Sequence, residues 1–151
     1  MTYLTTLILR LVVFSVCCQS DNSQPRPIEP DDLYSCYTRT HWKEDQLVQS
    51  LLGKWKYIYL ENVWHYGKGM NTENENLILE FTSDSILYIH KNEAVLHASK
   101  WKIVEEDFRM YALELNTPSP YLYGRILLCN SILEFSNSHQ LGNDHYFHRV
   151  Q

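Results

Sequence analysis

The sequence predicts an all-β fold: an antiparallel up-and-down barrel of about eight strands, with one short N-terminal helix. Three observations lead there. Aromatic residues make up 13% of the chain (11 Tyr, 5 Phe, 4 Trp), which favours strands over long helices. From Gly53 onward, apolar and polar residues alternate with period two in short segments. Turn-sized polar clusters separate those segments, so successive strands pair as hairpins and the meander closes naturally on itself. A length of 151 residues with 44% hydrophobic content suits a single core and a single domain. The balance of 13 basic against 18 acidic residues gives a net charge of −5. That removes the electrostatic drive toward nucleic acid or an anionic membrane surface.

The chain opens MTYLTTLILRLVVFSVCC and turns polar at once. A short apolar segment ending in small residues is a secretory signal pattern. It is too short, and too interrupted by Arg10, to span a bilayer. Cys17 and Cys18 stand at the cleavage point. Either both leave with the signal, or Cys18 becomes the acylated first residue of a bacterial lipoprotein. Ser15 and Cys17 are small residues at −3 and −1 to Cys18, whereas Val16 directly precedes Cys17. Lipid chains at Cys18 would supply a membrane anchor. Residues 19–32 hold almost no apolar side chains and three prolines, Pro25, Pro27 and Pro30, the composition of a tether. The expected organisation is a signal peptide over 1–17, a lipidated tether over 18–38 and a barrel domain over 39–151.

A helix is expected at about 41–52, HWKEDQLVQSLL, with Thr40 as N-cap, Glu44 and Asp45 in its first turn and Gly53 after its end. Trp42, Leu47 and Leu51, with Leu52, give it a narrow apolar stripe that can plug a barrel end. Strands follow at 54–61, 77–82, 85–90, 95–104, 108–115, 121–129, 131–135 and 145–150. Residues 82–85, 105–107 and 129–131 are tight turns, and Pro118 and Pro120 break the chain between two strands. The alternation names an inner face: Trp55, Tyr57 and Tyr59; Leu77, Leu79 and Phe81; Trp101 and Ile103; Tyr111 and Leu113; Phe147 and Arg149. An arginine in phase with core aromatics suggests a guanidinium stacked on a tryptophan at a closed end.

Catalytic chemistry finds little footing. His145 and His148, three apart on a strand, point to opposite faces and cannot share a metal. His65, His90, His97 and His139 lack ligand spacing, so the histidines read as surface or edge residues. No Gly-x-Ser-x-Gly occurs, Ser119 has no partner, and Cys129 reads as a buried strand cysteine rather than half of a dyad. Glu105, Glu106 and Asp107 form a solvated turn, while Glu80, Glu114 and Glu134 alternate with apolar residues and should face water. No catalytic residue, metal or cofactor is assigned, and the reading is non-enzymatic. The aromatic excess either fills the barrel solid or lines a pocket at its open end. The pocket would be built from Tyr57, Tyr59, Tyr88, Trp101, Tyr111 and Tyr123. Trp64 and Tyr66, on the long connection 62–76, would act as a lid or a protein-contact patch.

Leu52-Gly53-Lys54-Trp55 contains a Gly-x-Trp set after a short helix at the first strand, and Tyr146-Phe147-His148-Arg149 ends the last strand. Together they resemble the lipocalins, whose closing arginine packs over that tryptophan; Gly53, Trp55 and Arg149 are the residues that match. The chain more closely resembles the small lipocalin-like lipoproteins of Bacteroidetes. The resemblance runs over about 50–150, in GKWKYIY (53–59), GRILLCN (124–130), LEF (133–135) and GNDHYFHR (142–149). Ser20-Asp21, just after Cys18, resembles the acidic signals that send such lipoproteins to the cell surface. The resemblance implies an outer-membrane lipoprotein of the cell envelope that binds a small hydrophobic ligand or a surface partner without chemistry. In its family the loop matching 62–76 overhangs the cavity mouth. The alternative is a structural accessory subunit of an outer-membrane or cell-surface assembly, with a packed barrel and an envelope protein partner. The resemblance also implies a cysteine beside the aspartate of the closing turn, where this chain has Asn143. Cys129 is then free, or pairs with Cys36; an exported chain permits that disulfide.

Overall fold

Eight strands joined in chain order form a closed antiparallel barrel: β1 (Gly53–Asn62), β2 (Leu77–Phe81), β3 (Ile86–Lys91), β4 (Ala94–Glu105), β5 (Tyr111–Leu115), β6 (Arg125–Cys129), β7 (Ile132–Ser136) and β8 (Asn143–Val150), with β8 returning to pair with β1. Helices α1 (Pro30–Thr40) and α2 (Glu44–Leu51) precede it. The computed structural model describes residues 30–62, 76–107, 109–140 and 142–150. The signal segment with Cys18, the tether up to residue 29, and Trp64 and Tyr66 of the long connection lie outside them.

Period-two patterning becomes the barrel interior. Leu77, Leu79 and Phe81 of β2 meet Leu87 and Ile89 of β3, Trp101 and Ile103 of β4, Leu113 of β5 and Phe135 and Phe147 of β7 and β8 in one buried cluster. Two strands start later than the sequence suggests. Arg109 takes a positive φ of 64° and the Met110 amide bonds the Asp107 carbonyl, so the turn extends to residue 110 and β5 begins at Tyr111. Pro118, Pro120 and Gly124 hold the next stretch out of the ladder, and β6 begins at Arg125.

The helical part needs two corrections. The expected helix over 41–52 is shorter, starting at Glu44 after Lys43, because His41 takes a positive φ of 52° and breaks the chain there. Thr40 does not cap it: its hydroxyl donates to the Cys36 carbonyl (2.9 Å), inside the preceding helix. The tether reading of 18–38 fails from residue 30. Pro30 suits the first helical position, Asp32 favours the first turn, and Leu33 and Tyr37 lie four apart on one buried face.

The two helices cover different parts of the barrel. Leu47 and Leu51 of α2 are buried with Trp55 at the end where β1 begins, so α2 is a plug. Helix α1 lies on the outer wall, where Leu33 and Tyr37 cluster with Tyr59, Met110, Leu127, Cys129 and Tyr146. A disulfide between Cys36 and Cys129, Cα atoms 5.9 Å apart, fastens it there. Closing a loop of 93 residues in this way stabilises the fold by about 2–4 kcal/mol.

A β-bulge changes the inner face of β1. The β1–β8 register shifts between Tyr57, opposite Phe147, and Tyr59, opposite Tyr146. The extra residue moves Tyr59 to the outside, where its ring stacks on Tyr146 (4.4 Å, 14°) under α1. The expectation that Trp55, Tyr57 and Tyr59 share one face therefore holds only for the first two.

Candidate functional site

At the plugged end Gly53, Trp55 and Arg149 meet. Gly53 has φ +109°, a conformation other residues rarely adopt. The guanidinium lies 4.2 Å over the Trp55 ring, donates to the Leu52 carbonyl (2.8 Å) and also to that of Ser50. Trp55 Nε1 donates to the Leu51 carbonyl (2.8 Å). The Trp55 indole N–H is satisfied, and the Arg149 guanidinium ties the ring to the Leu52 and Ser50 carbonyls, as a structural fastening requires.

The opposite, far end of the barrel is built differently. His145 of β8 stands in phase with Phe147, so its side chain enters the barrel between Leu60 and Phe135 of the neighbouring strands. It is 4% exposed, and among the described residues its Nδ1 has no hydrogen-bond partner. Three tyrosine rings surround it: Tyr57 (6.3 Å), Tyr121 (6.2 Å) and Tyr123 (6.4 Å), the last two edge-on. Tyr121 and Tyr123 arrive on the β5–β6 connection. Gly124 (φ +96°) returns that connection to the sheet so closely that a Cβ there would come within 2.1 Å of the Ser136 carbonyl oxygen. Burial holds the His145 imidazole down at about 4, against the pull of the Asp144 carboxylate, so it is neutral near pH 7. A neutral imidazole offers one donor and one acceptor. Asp144 itself faces outward, accepting from the amides of Asn137 (2.6 Å) and Ser138 (2.8 Å).

A second unpaired polar atom lies inside the barrel. Trp101 is buried edge-on against Phe81 (5.1 Å), and among the described residues its Nε1–H has no acceptor. A buried polar group left without a partner costs about 1–3 kcal/mol.

Of the residues expected to line a pocket, Tyr57 and Tyr123 gather at His145 and Trp101 lies deeper in the interior. The others do not line it. Tyr59 sits outside the wall because of the bulge. Tyr88 also faces outward, since Leu87 and Ile89 take the inward phase of β3; it stands opposite Glu80 and Ala98, its ring 6.2 Å from His90. Tyr111 is inside but at the plugged end, where burial and the Glu105, Glu44 and Asp45 carboxylates push its hydroxyl's pKa up. Trp64 lies outside the described residues.

Two further expectations are corrected. His145 is no surface histidine, although it and His148 do face opposite sides of β8. His90 and His97 fit the surface reading better: His90 pairs with Glu80 (3.0 Å) and His97 donates to the Thr117 carbonyl (3.2 Å). Glu134 does not face water. It occupies the outer row Leu127–Glu134–Tyr146–Tyr59, which α1 covers, and is 3% exposed. Burial, with Asp144 and Glu61 nearby, pushes its carboxyl up to about 8, so it is largely protonated at neutral pH. Among the described residues no cluster of His, Cys, Asp and Glu is arranged to hold a metal, and no helix is long and apolar enough to cross a membrane. Neither protein-family models, nor curated proteins, nor solved structures show a match to this chain.

Proposed function

We propose that the protein is a non-catalytic binding module that holds a small, largely apolar molecule at the far end of its barrel. The observation that carries this reading is the buried His145, its Nδ1 without a partner among the described residues, ringed by three tyrosines. The rings offer an apolar berth, and the imidazole offers one polar anchor that discriminates by a hydrogen bond. In this reading the chain is exported, acylated at Cys18 and held at the outer membrane, as its resemblance to lipocalin-like lipoproteins implies. Fluorescence titration of the full chain with N-phenyl-1-naphthylamine, a neutral apolar probe, tests it. Saturable binding that weakens about tenfold in His145→Phe supports the reading. Absence of saturable binding, or equal affinity in both proteins, overturns it.

One observation favours an accessory subunit instead. Val95 and Leu96, adjacent on β4, are each 57% exposed. An apolar pair of this kind suits a protein interface, and in that case a protein partner, rather than a small molecule, should co-purify.

A further inference from the structure

The plugged end carries a cleft of about 300 Å³ on its outer side, between the α1–α2 elbow and the β6–β7 turn. Thr40, Trp42, Ser50, Asn130 and Arg149 line it, beside the Cys36–Cys129 disulfide. Arg149 brings donors alone, whereas the Asn130 amide and the Thr40 and Ser50 hydroxyls can donate or accept. Two of the five N–H bonds of the Arg149 guanidinium are spent on the Leu52 and Ser50 carbonyls. Among the described residues the others have no partner, and no carboxylate pairs with this arginine. Asn130 takes a positive φ of 53° at the turn and brings a side-chain amide; Ser50 brings a hydroxyl. Trp42 is held by its Nε1–H, which donates to the Leu128 carbonyl (3.2 Å), and presents an indole as one wall.

An exposed guanidinium with no carboxylate partner among the described residues, next to an aromatic wall and neutral polar groups, is the arrangement that recognises a carboxylate on a flat body. We propose that this cleft binds a small aromatic or planar carboxylate, its anion on Arg149 and Asn130 and its ring against Trp42. The site lies at the other end of the barrel from His145 and does not depend on the binding reading above.

Benzoate is the probe, with neutral benzamide as its isosteric control. In ¹H–¹⁵N spectra of the full chain, benzoate should shift the Trp42 indole N–H and the Asn130 amide in a saturable, millimolar titration, while benzamide shifts neither. Asn130→Asp keeps a residue tolerant of positive φ and sets a negative charge against the ligand; it should weaken benzoate about tenfold. The choice of Asn130 leaves the Arg149 fastening intact, so a folded variant is available for the comparison. Equal shifts with benzamide, no saturable shift with benzoate, or undiminished affinity in Asn130→Asp overturns the proposal.

Discussion

Trp55 at the plugged end and His145 at the far end are both buried inside one barrel, yet their surroundings differ. Around Trp55 the indole N–H finds Leu51, and Arg149 finds the ring and two carbonyls of α2 and its cap. Around His145 three tyrosine rings close in, but among the described residues Nδ1 finds no partner. A satisfied end adds stability, whereas an unsatisfied one forgoes some and keeps a polar group available to something from outside. The contrast marks the α2 end as a fastening, and the proposed binding reading rests on the other end.

The sharpest way to break this contrast is to damage the satisfied end. Arg149→Ala removes the cation over Trp55 and leaves the Leu52 and Ser50 carbonyls without their donor. Thermal melting should show a loss of about 1–3 kcal/mol, with naphthylamine affinity at the far end unchanged. An unchanged melting temperature would show that the arginine fastens nothing.

A smaller effect comes from pH. His145 titrates at about 4 in the folded chain against an ordinary 6.5, so its stabilising contribution is complete above 6.5 and is lost as pH falls toward 4. Glu134, on the outer wall, has the opposite sign. Raised from 4.5 to about 8, it favours the fold fully below 4.5 and progressively less as pH rises to 8. Between 4.5 and 6.5 the two slopes oppose each other. Urea unfolding across this range should lose its acid limb in His145→Phe and its alkaline limb in Glu134→Gln, each by about 1–2 kcal/mol. An alkaline limb that survives in Glu134→Gln would mean that burial under α1 does not control that carboxyl.

Much of the fold is legible in the sequence because a strand's period of two is a local signal. The strands and the inward phase of Arg149 follow from which residues share a parity, the strand order from the hairpin-sized turns, and the pairing of Arg149 with Trp55 from the resemblance of the two chain ends to the lipocalins. The bulge does not, since nothing at Tyr57-Ile58-Tyr59 marks an extra residue. Helix α1 hides behind the prolines of residues 25–30, which depress apolar content. Pro30 at a first helical position, followed by Leu33 and Tyr37 four apart, is the signal that could have found it. Glu134 then follows, because a residue on the outer face meets water only where no helix covers it. The His145 site was within reach: the parity that points Phe147 and Arg149 inward points His145 inward too. Its tyrosines were only partly within reach. Tyr121 and Tyr123 belong to a connection shaped by Pro118, Pro120 and Gly124, where no period applies.

Native mass spectrometry of the full chain, purified gently from its own host, tests the central claim most directly. The account predicts a reproducible small-molecule adduct on the wild type that is lost in a folded His145→Phe. A bare protein mass for the wild type, or an adduct that persists undiminished in the variant, would contradict it.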